Sequence, residues 1–170
     1  HKISWFADLG VNINSESDQW EIYLAQTDLN SLSSGGWIPH SEFTKVFHGD
    51  VKFLSKNFGF RDGYYHRQLR VELDSPFVRD PSKNLVIAVR ENETGGNLGG
   101  TDFELRRLSN NDRRLVYGSD SPIVLPLPEN TQESFSNNRS RVPWVILEGV
   151  TDSGIIYSSS TESNDAGILA

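Results

Sequence analysis

The side chains best suited to chemistry in this chain are aromatic rings beside fork-shaped donors. Trp37 lies in Gly35-Gly36-Trp37-Ile38-Pro39, and Tyr64-Tyr65 stands beside Arg61, Asp62, His66 and Arg67. A C–H-rich sugar face stacks on a ring, while its hydroxyls need paired donors and acceptors. Trp37, Tyr64, Tyr65, Arg61 and His66 therefore make a candidate glycan platform. The plainer reading packs Trp37 on the core and lets Tyr64-Tyr65 straddle a hairpin tip. Hard oxygens of the kind calcium favours are closely spaced at Asp8, Asn12, Asn14, Glu16 and Asp18, and again at Glu91, Asn92, Glu93 and Asp102. The first run lacks the fixed pattern of an EF-hand loop, and its plainer reading is a polar hairpin. No cofactor is expected, and no metal site is assigned, with calcium at Asp8, Asn12, Asn14 and Asp18 kept as a candidate.

Signals for catalysis are poor. The loop Gly95-Gly96-Asn97-Leu98-Gly99-Gly100 lacks the Lys-Ser/Thr of a phosphate-binding loop and precedes no helical pattern. His1, His40, His48 and His66 are scattered, with no pair at i, i+4. There is no Gly-x-Ser-x-Gly elbow, and Gly118-Ser119-Asp120-Ser121 reads as a turn. Carboxylates are plentiful, but none has an apolar setting that would raise its pKa for glycoside cleavage. The chain is read as a protein that is not an enzyme.

These residues need a scaffold, and composition limits what it is. The 170 residues suit one domain with a proper core. A hydrophobic fraction of 36% and a mean hydropathy of -0.47 fit a large polar surface. No apolar run approaches the roughly 18 residues that span a bilayer, so membrane insertion is not expected. The net charge of -7 and pI near 5.0 argue against nucleic acid as a partner. Arg106, Arg107, Arg113 and Arg114 are diluted by Asp102, Glu104 and Asp112, and read as a solvated strand pair. Without cysteine there are no disulfides, zinc thiolates or thiol chemistry. Methionine is also absent, which reads as a processed product or a segment of something longer.

No segment of 12 or more residues carries helical periodicity, whereas strand patterns recur. Val71 and Leu73 alternate with Arg70, Glu72 and Asp74, as in a half-buried strand. Leu85 to Val89 is apolar without a break, as in a strand covered on both faces. Between them, Pro76 and Pro81 confine the connection to a corner or sheet edge. Further runs fall at Lys2 to Ala7, around Trp20, Ile22 and Leu24, and at Val46-Phe47 and Val51-Phe53 either side of a bulge at Gly49. Others follow at Phe103 to Leu108, Leu115 to Tyr117, Val145 to Leu147 and Ile155 to Tyr157. The expected fold is all-β, a jelly-roll-like antiparallel β-sandwich of about eight to ten short strands. Residues 1–150 form the sandwich module, and 151–170 a polar linker plus a strand that completes the same or a neighbouring module.

Several of these stretches, in their order, resemble β-sandwich modules of secreted and cell-surface Bacteroidetes proteins. Such modules belong to type IX-secreted, adhesin-like proteins, often beside fibronectin type III domains. The resemblance is carried by Ile22-Tyr23-Leu24, Trp37-Ile38-Pro39, Val46-Phe47-His48-Gly49-Asp50-Val51, Leu73-Asp74-Ser75-Pro76-Phe77 and Ser82-Lys83-Asn84-Leu85-Val86-Ile87-Ala88-Val89. Arg114-Leu115-Val116-Tyr117 and Arg141-Val142-Pro143-Trp144-Val145 extend it. It implies an extracellular or cell-surface location and no catalytic residues.

The resemblance also implies that the chain is cut out of frame. Such modules open with an Ile-Tyr strand, a polar stretch and Gly-x-Ile leading into the Ile-Ser-Phe strand. Here Lys2-Ile3-Ser4-Trp5-Phe6 comes first, and Ile156-Tyr157, Ser158 to Glu162 and Gly167-Ile168 come last. A sandwich lacking its first strand exposes an edge, which β-strand addition could fill. Ile155, Ile156, Tyr157, Ile168 and Leu169 are then the candidate assembly strand. Its partners are other copies or adjacent repeats, in a head-to-tail filament or adhesin of the cell surface. Folding back into the same domain and a simple linker are the alternatives for this segment. The competing function is a carbohydrate-binding module of a secreted polysaccharide-degrading protein.

Overall fold

The computed structural model describes residues 1–9, 16–30, 32, 37–52, 60–61, 64–90, 101–103, 105–107, 114–115, 125–126, 141–143, 145–150, 156–160 and 166–169. Among them are thirteen strands and one three-residue 3-10 turn, His40–Glu42. The strands are β1 (Lys2–Leu9), β2 (Glu16–Thr27), β3 (Thr44–Lys52), β4 (Phe60–Arg61), β5 (Tyr64–Glu72), β6 (Asn84–Arg90) and β7 (Thr101–Phe103). They continue with β8 (Leu105–Arg107), β9 (Arg114–Leu115), β10 (Arg141–Pro143), β11 (Val145–Val150), β12 (Ile156–Ser160) and β13 (Ala166–Leu169). The fold is all-β, as the strand periodicities predict, but it has more strands than the eight to ten expected. β13 also departs from an antiparallel arrangement by running parallel to both of its neighbours.

Two sheets carry most of these strands. One has the order β12-β11-β1-β5-β4, with β7 pairing the far half of β1 beyond β11. The other has the order β3-β2-β6-β13-β9, and β10-β8 form a separate pair. The arginine-bearing β8 thus pairs with β10 and not with β9, contrary to the strand pair expected for them. Side chains alternate across each strand, so one face of each sheet can be apolar. Ile3, Trp5, Leu69, Val71 and Val145 of the first sheet join Trp20, Ile22, Leu24, Val46, Val51, Leu85 and Ile87 of the second in one buried cluster. The two sheets therefore face each other across a single core, a sandwich-like arrangement. Trp5 and Trp20 meet across it edge to face, with ring centroids 6.3 Å apart, a geometry the ring quadrupoles favour.

The corner between β5 and β6 joins the sheets. The pairing of β2 with β3 shifts register between Ile22 and Tyr23: Ile22 faces Phe47 but Tyr23 faces Lys45. Val46 is the extra residue of this bulge. Its carbonyl accepts hydrogen bonds from Asp74 N at 2.8 Å and Ser75 N at 3.3 Å. In return Asp74 Oδ2 accepts from His48 N at 2.9 Å. Leu73 and Phe77 then pack onto the main cluster and plug this end of it. Pro76 and Pro81 lie in the corner, outside every strand, as expected. Asp80-Pro81-Ser82-Lys83 closes as a turn, with Lys83 N donating to Asp80 O and Ser82 N to Asp80 Oδ1. Aspartate at the first position and proline at the second suit such a turn. The hydrogen bonds from Ser82 hold the Asp80 carboxyl below its ordinary range.

The bulge expected at Gly49 has a close counterpart. Ser17 pairs with Val51 and Trp20 with Gly49, so the additional residue is on β2 and not on β3. Ser158 to Ser160, expected within a polar linker, instead extend β12. On the outward side of the first sheet, Arg70 reaches across β1 to Glu148, with Nη2 2.6 Å from Oε2. Ser4, which lies between Arg70 and Ile146 in the register, is fully buried, and its hydroxyl has no hydrogen-bond partner among the described residues.

Two substitutions measure the core and this buried hydroxyl in one urea-unfolding series. Ile87→Ala should cost about 2–5 kcal/mol, the range for emptying a packed aliphatic site. Ser4→Ala should raise stability by about 1 kcal/mol, because it removes a desolvated hydroxyl with no partner among the described residues.

Candidate functional site

The assembly-strand residues fall on two strands in different sheets. Ile156 and Tyr157 open β12, which pairs antiparallel with β11 in the register Ile156↔Val150 and Tyr157↔Gly149. Ile155 lies outside the described residues. Ile168 and Leu169 belong to β13, which runs parallel to both of its neighbours. Toward β6 the register is Ala166↔Leu85 through Leu169↔Ala88, and toward β9 it is Ile168↔Arg114 and Leu169↔Leu115. Within one chain, then, the C-terminal segment fills a place inside its own second sheet.

The demand for that place comes from β6. Leu85 and Ile87 face the main core, while Val86 belongs to a second cluster with Ala25 and Leu32 on the opposite face. Leu85, Val86 and Ile87 are all at most 4% exposed, as expected for an unbroken apolar strand. A backbone buried on both faces has no water for its polar groups, so both of its edges need hydrogen-bonding neighbours. One edge is taken by β2, from Glu21↔Arg90 to Thr27↔Asn84. The other is taken by β13.

The outward face of the second sheet holds an ionic cluster that sequence patterning did not reveal. Glu21 and Tyr23, two residues apart on β2, are 7% and 6% exposed. Glu21 Oε2 accepts from the Tyr23 hydroxyl at 2.9 Å, and Oε1 accepts from Lys45 Nζ at 2.8 Å. Arg90 Nε lies 2.7 Å from Oε2 as an ion pair, without the alignment of a hydrogen bond. Tyr23 in turn meets the rings of His40 and Phe43 edge to face, at 5.4 and 6.5 Å. Burial pushes the Glu21 carboxyl up, but the hydrogen bonds from Lys45 and Tyr23 and the charges of Arg90 and Lys45 outweigh it. The carboxyl titrates below its ordinary range. Burial first, then the hydrogen bond and charge of Glu21, push the Tyr23 phenol up to about 12. At neutral pH the carboxyl is ionised and the phenol protonated, so the cluster is a fixed-charge brace across β3, β2 and β6. Its members come from three strands, and only Glu21 and Tyr23 share a local pattern.

The glycan-platform residues are divided between the two sheets. Trp37 is half-buried and packs with Ile38 and Phe43 onto the second cluster, over the outward face of the second sheet. Arg61, Tyr64, Tyr65 and His66 belong to the first sheet: Arg61 pairs with Tyr64 and Phe60 with Tyr65, while His66 faces Asp8 on β1. Of the calcium candidates, Asp8 is on β1 and Asp18 on β2, in different sheets, and Asn12 and Asn14 lie outside the described residues. The register does place Asp8 between His66 of β5 and Asp102 of β7. Among the described residues, no group of three or more His, Cys, Asp or Glu is arranged to hold a metal ion.

No protein-family model, curated protein or solved structure matches the chain.

The brace makes a pH-dependent prediction. A carboxyl with a depressed folded-state pKa adds stability above its unfolded pKa, near 4.3, and loses it as pH falls through the folded value. Glu21→Gln should lower stability at pH 7 by about 3 kcal/mol, since it leaves the Arg90 cation without its counter-charge. The difference from the parent chain should shrink as pH drops from 5 toward 3, as read by urea titrations at each pH.

Proposed function

We propose that the chain is a non-catalytic structural or adhesive module of the cell surface, assembled head to tail by β-strand addition. The observation that carries this reading is the place of β13. It completes a sheet from inside, between β6 and β9, and reaches that place from β12 in the opposite sheet. Such a segment is the element that identical copies can exchange, because a second copy offers β6 the same hydrogen bonds in the same register. On this reading the C-terminal strand is supplied in cis by a lone chain and in trans in the assembly. A cell-surface setting is suggested by the strand-and-corner resemblance to secreted Bacteroidetes modules.

Strand direction supports a linear array. β1 begins level with Glu72 and Glu148, at the end of the sandwich where the β5–β6 corner lies. β13 enters level with Leu85 at that same end and runs away from it. Every donated strand would therefore point the same way along its acceptor. A heterologous contact of that kind does not close on itself and propagates.

Assembly is followed by light scattering over a concentration series. Deleting residues 156–170 should abolish it, and Ile168→Pro in the full chain should do the same, because proline removes a ladder donor from a central strand. Assembly that is unchanged in both variants would overturn the proposal.

A further inference from the structure

The direction of β13 also says where a donating copy must sit. The pairing begins at Ala166↔Leu85, so a donated strand enters at the corner end. Only residues 161–165 separate it from β12. From Ser160 to Ala166 the chain spans at most about 20 Å when fully extended. The body of the donor is therefore held within about 20 Å of the corner end of the acceptor, so the surface the acceptor shows there is within its reach.

That surface is apolar at its tips and rigid beneath them. Val78 is 87% exposed and Leu29 54%, and they are the exposed large hydrophobic residues among those described. Both belong to this end. Thr27 and Asn84, the last residue of β2 and the first of β6, face each other here. The Gln26 side chain clamps the corner: Nε2 donates to Val78 O at 3.3 Å, and Oε1 accepts from Asp80 N. Leu29 N donates to Thr27 Oγ1 at 3.1 Å, and Leu29 O accepts from Asn84 Nδ2 at 2.9 Å. Lys83 and Asp28 pair across the two loops at 3.4 Å. Exposed apolar side chains on hydrogen-bonded loops lose little freedom on docking, as befits an interface anchor. Single exposed hydrophobic residues are ordinary on a protein surface; two on adjoining clamped loops, at the end where the donor body is held, are what a partner would cover.

We infer that the corner end carrying Leu29 and Val78 is the docking surface for a second copy of this chain, the copy that donates β13. The inference rests on the strand-exchange reading and adds to it a body-to-body contact.

The test compares the full chain with Leu29→Asp/Val78→Asp and with the milder Val78→Ser by sedimentation velocity, while hydrogen exchange follows the amides of residues 166–169. The expected result is association weakened at least tenfold in the double variant and less in Val78→Ser, with those amides still protected. Association of equal strength in all three would overturn the docking surface and leave strand exchange standing. Loss of amide protection together with association would also overturn it, because the residues would then act on the slot and not on docking. A parent chain that stays monomeric throughout would overturn both the inference and the reading beneath it.

Discussion

The two sheets are tied together by the carbonyl of Val46. A bulge at this residue, between the Ile22–Phe47 and Tyr23–Lys45 pairs, leaves its carbonyl to receive Asp74 N and Ser75 N from the corner that follows β5 of the opposite sheet. The bulge looks like a defect in the β2–β3 ladder, yet it turns a backbone acceptor toward the corner. Asp74 completes the exchange by accepting from His48 N. With the corner held, Leu73 and Phe77 close the core at this end, and Gln26, Thr27 and Asn84 can brace the loops outside it. Side chain, backbone and packing depend on one another here, which is the consistency expected of a sequence that specifies one fold.

The corner delivers the chain into β6, and β6 imposes the next constraint. Apolar on both faces, it cannot be an edge strand without leaving desolvated backbone groups unpaired. Its neighbour on the side away from β2 is β13, a strand of four residues. The second sheet thus owes its continuity, from β6 to β9, to a short element.

Much of this was legible in the residues. The unbroken run Leu85 to Val89 identified a doubly covered strand, and the alternation through Arg70 to Asp74 identified its half-buried predecessor. Both signals are local, because burial writes itself into the period of the apolar side chains. Pro76 and Pro81 marked the corner for an equally local reason. Less local features were hidden. The Glu21 cluster draws Lys45 and Arg90 from other strands far along the chain, and no period links them. Trp37 and Tyr64-Tyr65 look alike as exposed rings in the sequence, but the first covers the second sheet and the others belong to the first. Ser158 to Ser160 carry a linker composition, yet they form the last three residues of β12, beside β11. Cross-strand partners decide such cases, and partners are a property of topology.

Topology also decides what assembly would require. Exchange of β13 between copies replaces each hydrogen bond by an identical one, so the strand itself supplies no preference for the partner over the parent chain. Tethering supplies the opposite preference: a short connection gives the chain's own strand an effective concentration on the order of millimolar. For exchange to win at micromolar concentration, the balance must move about a thousandfold, or about 4 kcal/mol. Contacts that exist only between bodies have to contribute it. Burying one leucine and one valine side chain is worth about 1.5–3 kcal/mol each, which is the scale needed. The exposed tips at Leu29 and Val78 are thus placed where the proposed assembly has to find its driving force, and the clamped loops beneath them keep the entropic cost of docking low.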